Sequence, residues 1–156
     1  MTEQQTEQAP AFYNQTWDLE YRHALGDTAG RFLNGLAEGK IWGIKSQDGR
    51  VIVPPRSFDD HTFTKNTEWV EVGTTGVIEM STVVYEGFRG LPDPPYAIGY
   101  ALLDGADTAL VGYIRGVDLT DQEHAIEATK IGTRVKVVFA EKPSGTSADY
   151  WFEPID

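Results

Sequence analysis

Residues 44–63, IKSQDGRVIVPPRSFDDHTF, hold the side chains whose types and spacing come nearest to a metal site. Asp48 lies in one polar turn, and Asp59, Asp60 and His61 lie in a second polar turn that follows a Pro-Pro-Arg run. Carboxylate and imidazole groups bind zinc or manganese. A closed structural zinc site uses four ligands, usually thiolate or imidazole, whereas this stretch has one histidine and the chain has no cysteine. We therefore expect no bound zinc.

The sequence contains none of the common catalytic patterns. There is no G-x-S-x-G elbow, P-loop, dinucleotide fingerprint or H-E-x-x-H pair. His23, His61 and His124 are far apart in sequence, and we interpret them as solvated or core histidines. The absence of cysteine also excludes thiolate catalysis and disulfides. The sequence assigns no catalytic residue.

Cationic residues are concentrated around the two polar turns. Five of the 13 Lys and Arg residues lie within residues 40–65, where three aspartates oppose them. They are Lys40, Lys45, Arg50, Arg56 and Lys65. Such a patch can hold a compact polyanion such as a nucleotide phosphate, and cations scattered by chance over a solvated surface are an equally good interpretation.

The overall charge indicates which partners to expect. The 24 Asp and Glu residues against 13 Lys and Arg give a net charge of -11, which repels nucleic acid and anionic lipid. The first residues, MTEQQTEQAPAF, lack a cationic start and an apolar run, and no stretch approaches the roughly 20 apolar residues of a membrane span. We expect a soluble, cytoplasmic chain that binds neither membrane nor nucleic acid.

The N-terminal third of the chain predicts one helix after a polar start. Residues 1–10 have the composition of a disordered lead-in, and residues 12–23 form an aromatic arm that packs either onto a partner or onto its own domain. Asp27 is the predicted N-cap of a short amphipathic helix over residues 28–38, and Gly39 is its predicted end.

After Gly39 the sequence changes to short β-branched and aromatic runs separated by Gly and Pro. The alternation of Val135 and Val137 with Arg134 and Lys136 is typical of a half-buried strand. Predicted strands cover the 40s, the 50s, 68–72, 75–87, 96–105, 108–117, 133–142 and 150–154, with a short helix within 119–132. The last five strands and this helix favour a small Greek-key barrel of the OB type.

The order of these motifs resembles a known family. FLNGLAEGKIWGIKSQDGRVIVPPR, TEWVEVGTTGVIEMSTVV, PPYAIGYALLDG, VGYIRGV and IGTRVKVVFAE are similar to the acyl-CoA-associated zinc-ribbon plus OB-fold proteins, the small accessory partners of thiolase-like enzymes. The resemblance covers about residues 25–154. It implies a mainly β fold with an N-terminal helical segment, a rubredoxin-like ribbon and a C-terminal five-stranded OB-type barrel.

The resemblance divides the chain into four parts: a disordered lead-in and docking arm at 1–24, an amphipathic helix at 25–39, a degenerate zinc ribbon at 40–72 and the barrel at 73–156. The family's four zinc-ligand cysteines fall at Lys45 and Asp48 in the first knuckle and at Asp59 and Thr62 in the second. All four positions are substituted. A metal-free ribbon is therefore implied, in which Lys45 pairs with nearby carboxylates and apolar packing supplies most of the stability.

The function implied by the resemblance is that of a non-catalytic accessory subunit. Its partner would be a thiolase, aldolase or acyltransferase that acts on a coenzyme A thioester, in an assembly expected to be a 2:2 heterotetramer. The candidate contacts to coenzyme A are Lys45, Arg50, Arg56, Pro95 and Tyr96. The candidate docking residues are Trp17, Tyr21, Phe32 and Leu36, since aromatic side chains are enriched in interface cores. The resemblance does not indicate which acyl group the thioester carries.

Two alternatives belong to other classes. An OB barrel can act alone as a binder of single-stranded nucleic acid, with Tyr85, Tyr100 and Tyr113 as stacking residues, but the acidic charge disfavours it. An independent enzyme such as an acyl-CoA hydrolase is disfavoured because no catalytic constellation is recognisable in the sequence.

Overall fold

A computed structural model describes residues 11–155. The predicted disordered lead-in at 1–10 lies outside the described residues. Residues 11–25 form neither helix nor strand, and residues 26–155 contain two helices and eight strands. Neither helix in residues 11–155 is long and apolar enough to cross a membrane.

Helix α1 spans Gly26–Ala37, close to its predicted range. Its end at Gly39 is confirmed: the residue has a φ of 72°, in the left-handed region that glycine adopts most readily. The N–H of Lys40 donates to the carbonyl of Gly35 at 2.9 Å, and the N–H of Gly39 donates to Leu36 at 3.1 Å. These two bonds satisfy carbonyls that the helix end would otherwise leave without partners.

The predicted N-cap of α1 is wrong. The helix begins one residue before Asp27, after Leu25, and no side chain caps it. Asp27 instead lies in the first turn, where a negative charge interacts favourably with the helix dipole. The physical reason is the left-handed φ of 66° at Gly26, which turns the chain into the helix before Asp27 is reached.

Strands β1 (Ile41–Lys45), β2 (Val51–Ile52) and β3 (Glu68–Val72) form an antiparallel sheet in the order β2-β1-β3. Ile44 at its centre pairs with Ile52 on one side and with Trp69 on the other. Residues 46–50 connect β1 to β2 and are called the first turn below. Residues 59–64, in the connection between β2 and β3, are called the second turn.

The remaining strands close into a barrel in the order β4-β5-β6-β8-β7, with β4 also paired to β7. Their bounds are Thr75–Val84 (β4), Tyr96–Leu103 (β5), Leu110–Ile114 (β6), Arg134–Phe139 (β7) and Tyr150–Pro154 (β8), and helix α2, Gln122–Ala128, lies between β6 and β7. β6 and β8 are parallel, and the other barrel pairs are antiparallel. This closed five-stranded barrel and the N-terminal helix confirm the predicted mainly β fold of the OB type.

One hydrophobic core joins the helix, the sheet and the barrel. It includes Phe32 and Leu36 of α1, Ile41 of β1 and Val72 of β3 together with barrel residues such as Phe152. Phe32 is 7% exposed and Leu36 is 1% exposed. Their prediction as docking residues is therefore corrected: the apolar face of α1 is covered by the chain's own core, so these two side chains offer no area to a partner.

Close packing in the barrel depends on a glycine. A Cβ atom added to Gly112 of β6 would lie 2.9 Å from the Phe152 ring and 3.0 Å from the Tyr150 ring. These two rings of β8 contact each other edge to face, with centroids 5.9 Å apart. The missing side chain at Gly112 therefore leaves the space that the aromatic pair fills.

Candidate functional site

The first turn is organised by Asp48. Its carboxylate accepts hydrogen bonds from the Ser46 hydroxyl, from the Arg50 backbone N–H at 3.2 Å and from Arg50 Nε at 2.7 Å. The bond from Ser46 has the largest effect, and together these bonds hold the pKa of Asp48 well below its usual range. Asp48, which the resemblance aligns with a zinc ligand, is thus an anion that joins Ser46 and Arg50 within the first turn.

The second turn is organised in a similar way by Asp59, whose side chain is fully buried. Its Oδ1 accepts the backbone N–H of Thr62 at 2.7 Å, the N–H of His61 at 2.9 Å and the Thr62 hydroxyl at 3.1 Å. These bonds, led by that from the Thr62 N–H, lower the pKa of Asp59. Asp59 and Thr62, two of the positions that the resemblance aligns with zinc ligands, are therefore hydrogen-bonded to each other.

Arg50 joins the two turns. Its Nη2 lies 3.3 Å from Oδ1 of Asp60 and 3.4 Å from Nδ1 of His61, while its Nε binds Asp48. His61 Nδ1 also lies 3.6 Å from Asp48, and Arg56 Nη1 lies 3.5 Å from Asp60. Within residues 11–155, no three His, Asp or Glu side chains are arranged to hold a metal ion. The structure brings the side chains of the two turns together as a network of ion pairs and hydrogen bonds.

Lys45 has a different partner from the one that the sequence suggested. Its Nζ lies 3.4 Å from Glu68 on the neighbouring strand β3, not beside the aspartates of the turns. The register of β1 and β3 explains this, because Lys45 and Glu68 are directly opposite each other. Arg50 takes the crosslinking part that Lys45 was expected to have. Each predicted phosphate-binding cation, Lys45, Arg50 and Arg56, is paired with a carboxylate.

Pro95 and Tyr96, the other two candidates for coenzyme A contacts, lie on the barrel and line one cleft of about 320 Å³. Its other walls include Tyr113 and Arg115, neither of which was selected as a coenzyme A contact from the sequence. The rings of Tyr96 and Tyr113 meet edge to face at 6.0 Å, and the Arg115 guanidinium lies 4.5 Å from the Trp151 ring. We call this the barrel cleft. Its lining includes none of the three cations of the turn region.

The stacking residues suggested for a nucleic-acid binder are in different environments. Tyr85 and Tyr100 are 39% and 42% exposed, whereas Tyr113 is half-buried against Tyr96. Only the first two therefore present much of their rings to solvent.

The aromatic arm is uncovered. Trp17 is 70% exposed and Tyr21 is 84% exposed, and neither joins the hydrophobic core. The other large apolar side chains of the arm are exposed as well: Phe12, Tyr13 and Leu19. Of the four predicted docking residues, the two on the arm are accessible and the two on α1 are not.

Sequence reasoning missed an arginine that lies between two tryptophans. The Arg31 guanidinium of α1 is 4.6 Å from the Trp42 ring of β1 and 4.4 Å from the Trp69 ring of β3. These cation–π contacts attach the helix to the sheet. Gly35 permits the same close approach, because a Cβ atom there would overlap the Trp42 indole.

Comparison with known proteins relates most of the barrel to a known domain family. Residues 69–140, from β3 to the end of β7, match the model of the ChsH2 C-terminal OB-fold domain. This part of the barrel is similar to that domain family. Of the candidate site residues, Pro95 and Tyr96 lie in this ChsH2-type segment, whereas the two turns and the aromatic arm lie outside it. No curated protein matches the chain.

Two solved structures resemble the chain beyond its ChsH2-type barrel. A protein of the DUF35 family from Sulfolobus solfataricus, of unknown function, is 25% identical, with a TM-score of 0.61 over 83% of this chain and 87% of that one. A chain of an Ltp2-ChsH2(DUF35) aldolase is 17% identical, with a TM-score of 0.66 over 85% of this chain and 98% of that one. At 17% identity, the similarity to the aldolase chain concerns the fold.

Proposed function

We propose that this chain is the non-catalytic accessory subunit of a heteromeric thiolase-like enzyme that acts on an acyl-CoA thioester. The observation that carries the proposal is the likeness to a chain of an Ltp2-ChsH2(DUF35) aldolase, 98% of whose length is covered. The match of residues 69–140 to the ChsH2 OB-fold domain supports it. The reactive cysteine would belong to the partner, since this chain has no cysteine of its own.

The aromatic arm supports a protein partner. Its exposed apolar side chains lie within residues 12–23 and are not covered by the chain's own core. Large aromatic side chains carry much of the energy of protein interfaces when a partner buries them. Trp17 and Tyr21 are therefore the proposed anchors in a 2:2 heterotetramer.

The barrel cleft is the better candidate for contacts to coenzyme A. It combines the aromatic walls of Tyr96 and Tyr113 with the guanidinium of Arg115, so it offers both an apolar surface and a positive charge. Arg50 and Arg56 stay candidates, but a phosphate would have to displace Asp48 or Asp60 from them. Lys45 would have to leave Glu68 in the same way.

Affinity purification of the full chain from its native host tests the partner. We expect a thiolase-like chain to co-elute in comparable amount, identified by mass spectrometry, with a mass consistent with two copies of each subunit. A bait with Trp17→Ala and Tyr21→Ala should recover much less of it, while Tyr85→Ala on the barrel serves as the matched control. Recovery of the wild-type bait alone, folded and monomeric, would contradict the proposal.

Turnover by the reconstituted complex tests the contacts to coenzyme A. We expect Tyr96→Ala or Arg115→Gln to raise the KM for the acyl-CoA thioester, with Tyr85→Ala unchanged. Charge reversal at Arg50 and Arg56 tests the turn region separately. If it leaves turnover unchanged while Tyr96→Ala impairs it, the coenzyme A contacts lie in the barrel cleft and not at the turns.

A further inference from the structure

The size of the barrel cleft limits how much of a coenzyme A molecule it can hold. Its volume of about 320 Å³ is at the lower end of the roughly 300–1,000 Å³ that is usual for small-molecule sites. Coenzyme A consists of a phosphorylated adenine nucleotide and a long, flexible pantetheine arm that ends in the thiol. The cleft can therefore hold one end of this molecule, and its walls and charge indicate which end.

The charge of the cleft comes from Arg115. Among the walls that the structure describes, Arg115 is the one charged residue, and it is exposed. Its guanidinium lies against the Trp151 ring, which restrains the cation without neutralising its charge. Within residues 11–155 it forms no ion pair, unlike the three cations of the turn region. Arg115 is therefore available to an anionic ligand.

Two carboxylates near Arg115 in sequence or in the barrel have other partners. Glu153 of β8 pairs with Lys136 of β7 at 3.2 Å. Asp118 accepts the backbone N–H of Thr120 at 2.9 Å and its hydroxyl at 2.7 Å. Neither carboxylate therefore competes with a ligand for the guanidinium.

The walls beside this cation are apolar, and several of them are rings. Pro92 and Pro95 are exposed, and Tyr113 is half-buried. Tyr96 is 8% exposed and meets Tyr113 edge to face, so Tyr113 is the more accessible of the two aromatic rings. Nucleic-acid bases stack favourably on aromatic side chains, whatever the identity of the base. A flat adenine ring therefore suits these walls.

The two ends of coenzyme A differ in charge. The phosphate monoester on the ribose carries about -1.5 to -2 charges near neutral pH, whereas the pantetheine arm carries none. A guanidinium binds a phosphate through two parallel N–H bonds. One unpaired guanidinium beside ring-shaped walls therefore matches the nucleotide end better than the pantetheine arm.

We propose that the barrel cleft binds the nucleotide end of coenzyme A, with the adenine ring against Tyr113 and the ribose phosphate on Arg115. The pantetheine arm and the thioester then lie outside the cleft, where a catalytic partner can reach them. The identity of the ligand rests on the proposed function. The contacts belong to this chain alone, so the nucleotide end binds without the partner.

An NMR titration of the full-length chain tests which end is bound. Coenzyme A and its nucleotide end alone, adenosine 3′,5′-bisphosphate, should cause the same saturable shifts of the Tyr113 and Gly116 amides. Dephospho-coenzyme A, which lacks the ribose phosphate, should bind about tenfold more weakly because charge-assisted hydrogen bonds are lost. Phosphopantetheine should leave these amides unshifted.

Variants at Arg115 separate recognition of the phosphate from a structural effect. Arg115→Gln should weaken binding of coenzyme A about tenfold and leave binding of dephospho-coenzyme A unchanged, whereas a structural loss would weaken both. Arg115→Lys, which keeps the charge, should retain part of the preference for coenzyme A. Lys142→Gln is the control for net charge and should change neither affinity.

Variants at Tyr113 test the stacking contact. Tyr113→Leu should weaken binding of both ligands at least about fivefold, and Tyr113→Phe, which keeps the ring, should change neither. Equal losses for the two variants would show that the ring itself does not hold the base.

Other outcomes would overturn the proposal. They are the absence of saturable shifts, equal affinity for coenzyme A and dephospho-coenzyme A, shifts of these amides by phosphopantetheine, and binding of inorganic phosphate as tightly as the nucleotide. Recovery of a thiolase-like chain with the wild-type bait, but no nucleotide binding by the isolated chain, would refute this inference alone. Nucleotide binding by a chain that is recovered without a partner would refute the accessory-subunit role alone.

Discussion

The Arg50 guanidinium lies 3.3 Å from Asp60, ten residues further along the chain, while its Nε holds Asp48 at 2.7 Å. One side chain therefore connects the first turn to the second. A shared metal ion is one way to hold two such turns together, and here an arginine and several carboxylates do so. Their stabilising effect depends on charge and is accessible to experiment.

Arg50→Gln should uncouple the two turns and lower the Tm of the isolated chain, because both Asp48 and Asp60 lose their guanidinium partner. The difference in Tm between wild type and variant should shrink as salt is added, since these side chains are partly exposed and salt screens them. Arg89→Gln, in the exposed loop between β4 and β5, is the charge-matched control. Equal losses for the two variants would show that Arg50 acts only through net charge.

Asp104 should make stability depend on acid pH. Arg134 Nη1 and Nη2 each bind it at 3.0 Å, and Thr75 adds a hydroxyl bond. The bonds from Arg134 have the largest effect, and together these bonds lower the pKa of Asp104 to about 2. The pKa of an aspartate in an unfolded chain is about 3.9. The folded state therefore favours the ionised form, so this contribution is present above about pH 4 and is lost as the pH falls towards about 2.

Urea denaturation near neutral pH and through the window from about pH 4 down to about pH 2 checks the assignment. Asp104→Asn should be less stable than wild type near neutral pH, and its stability should fall less steeply through the acid window. If the two proteins lose stability in parallel as the pH falls, Asp104 is not a source of the acid sensitivity.

Leu36→Ala and Trp17→Ala should separate core packing from docking. Leu36 is buried in the shared core, so its truncation should lower the free energy of unfolding by about 2–5 kcal/mol. Trp17 is exposed, so Trp17→Ala should change the stability of the isolated chain by about 0.5 kcal/mol or less. With the proposed partner present the order should reverse, and Trp17→Ala should weaken binding by about 2 kcal/mol. Destabilisation of the isolated chain by Trp17→Ala would instead indicate that the arm packs on its own domain.

The purified chain should contain no stoichiometric zinc. Asp59 and Thr62 use each other as hydrogen-bond partners, and Asp48 is paired with Arg50. A chelator should therefore leave the Tm unchanged, and elemental analysis should find far less than one zinc per chain. About one zinc per chain, with a lower Tm after chelation, would contradict this prediction.

Local sequence patterns predicted most elements but not their limits. The strand at 150–154 and the helix end at Gly39 agree with the structure. The strand predicted over 108–117 begins later, at Leu110. Asp107 instead accepts a hydrogen bond from the backbone N–H of Val51 in β2 at 2.8 Å, and Thr108 accepts one at 2.7 Å from Val53, the residue after β2. No pattern within the strand itself could indicate these contacts across more than 50 residues.

The sequence by itself determined the mainly β fold, the helix and the absence of a cysteine nucleophile, because backbone periodicity and residue type act locally. Only the tertiary structure decided which charges meet and which apolar faces are covered. Strand register placed Lys45 opposite Glu68, and helix packing placed Arg31 between two tryptophans and turned Leu36 into the core. The physical reason is that such contacts depend on how separate elements are oriented in space, which composition and spacing along the chain do not specify.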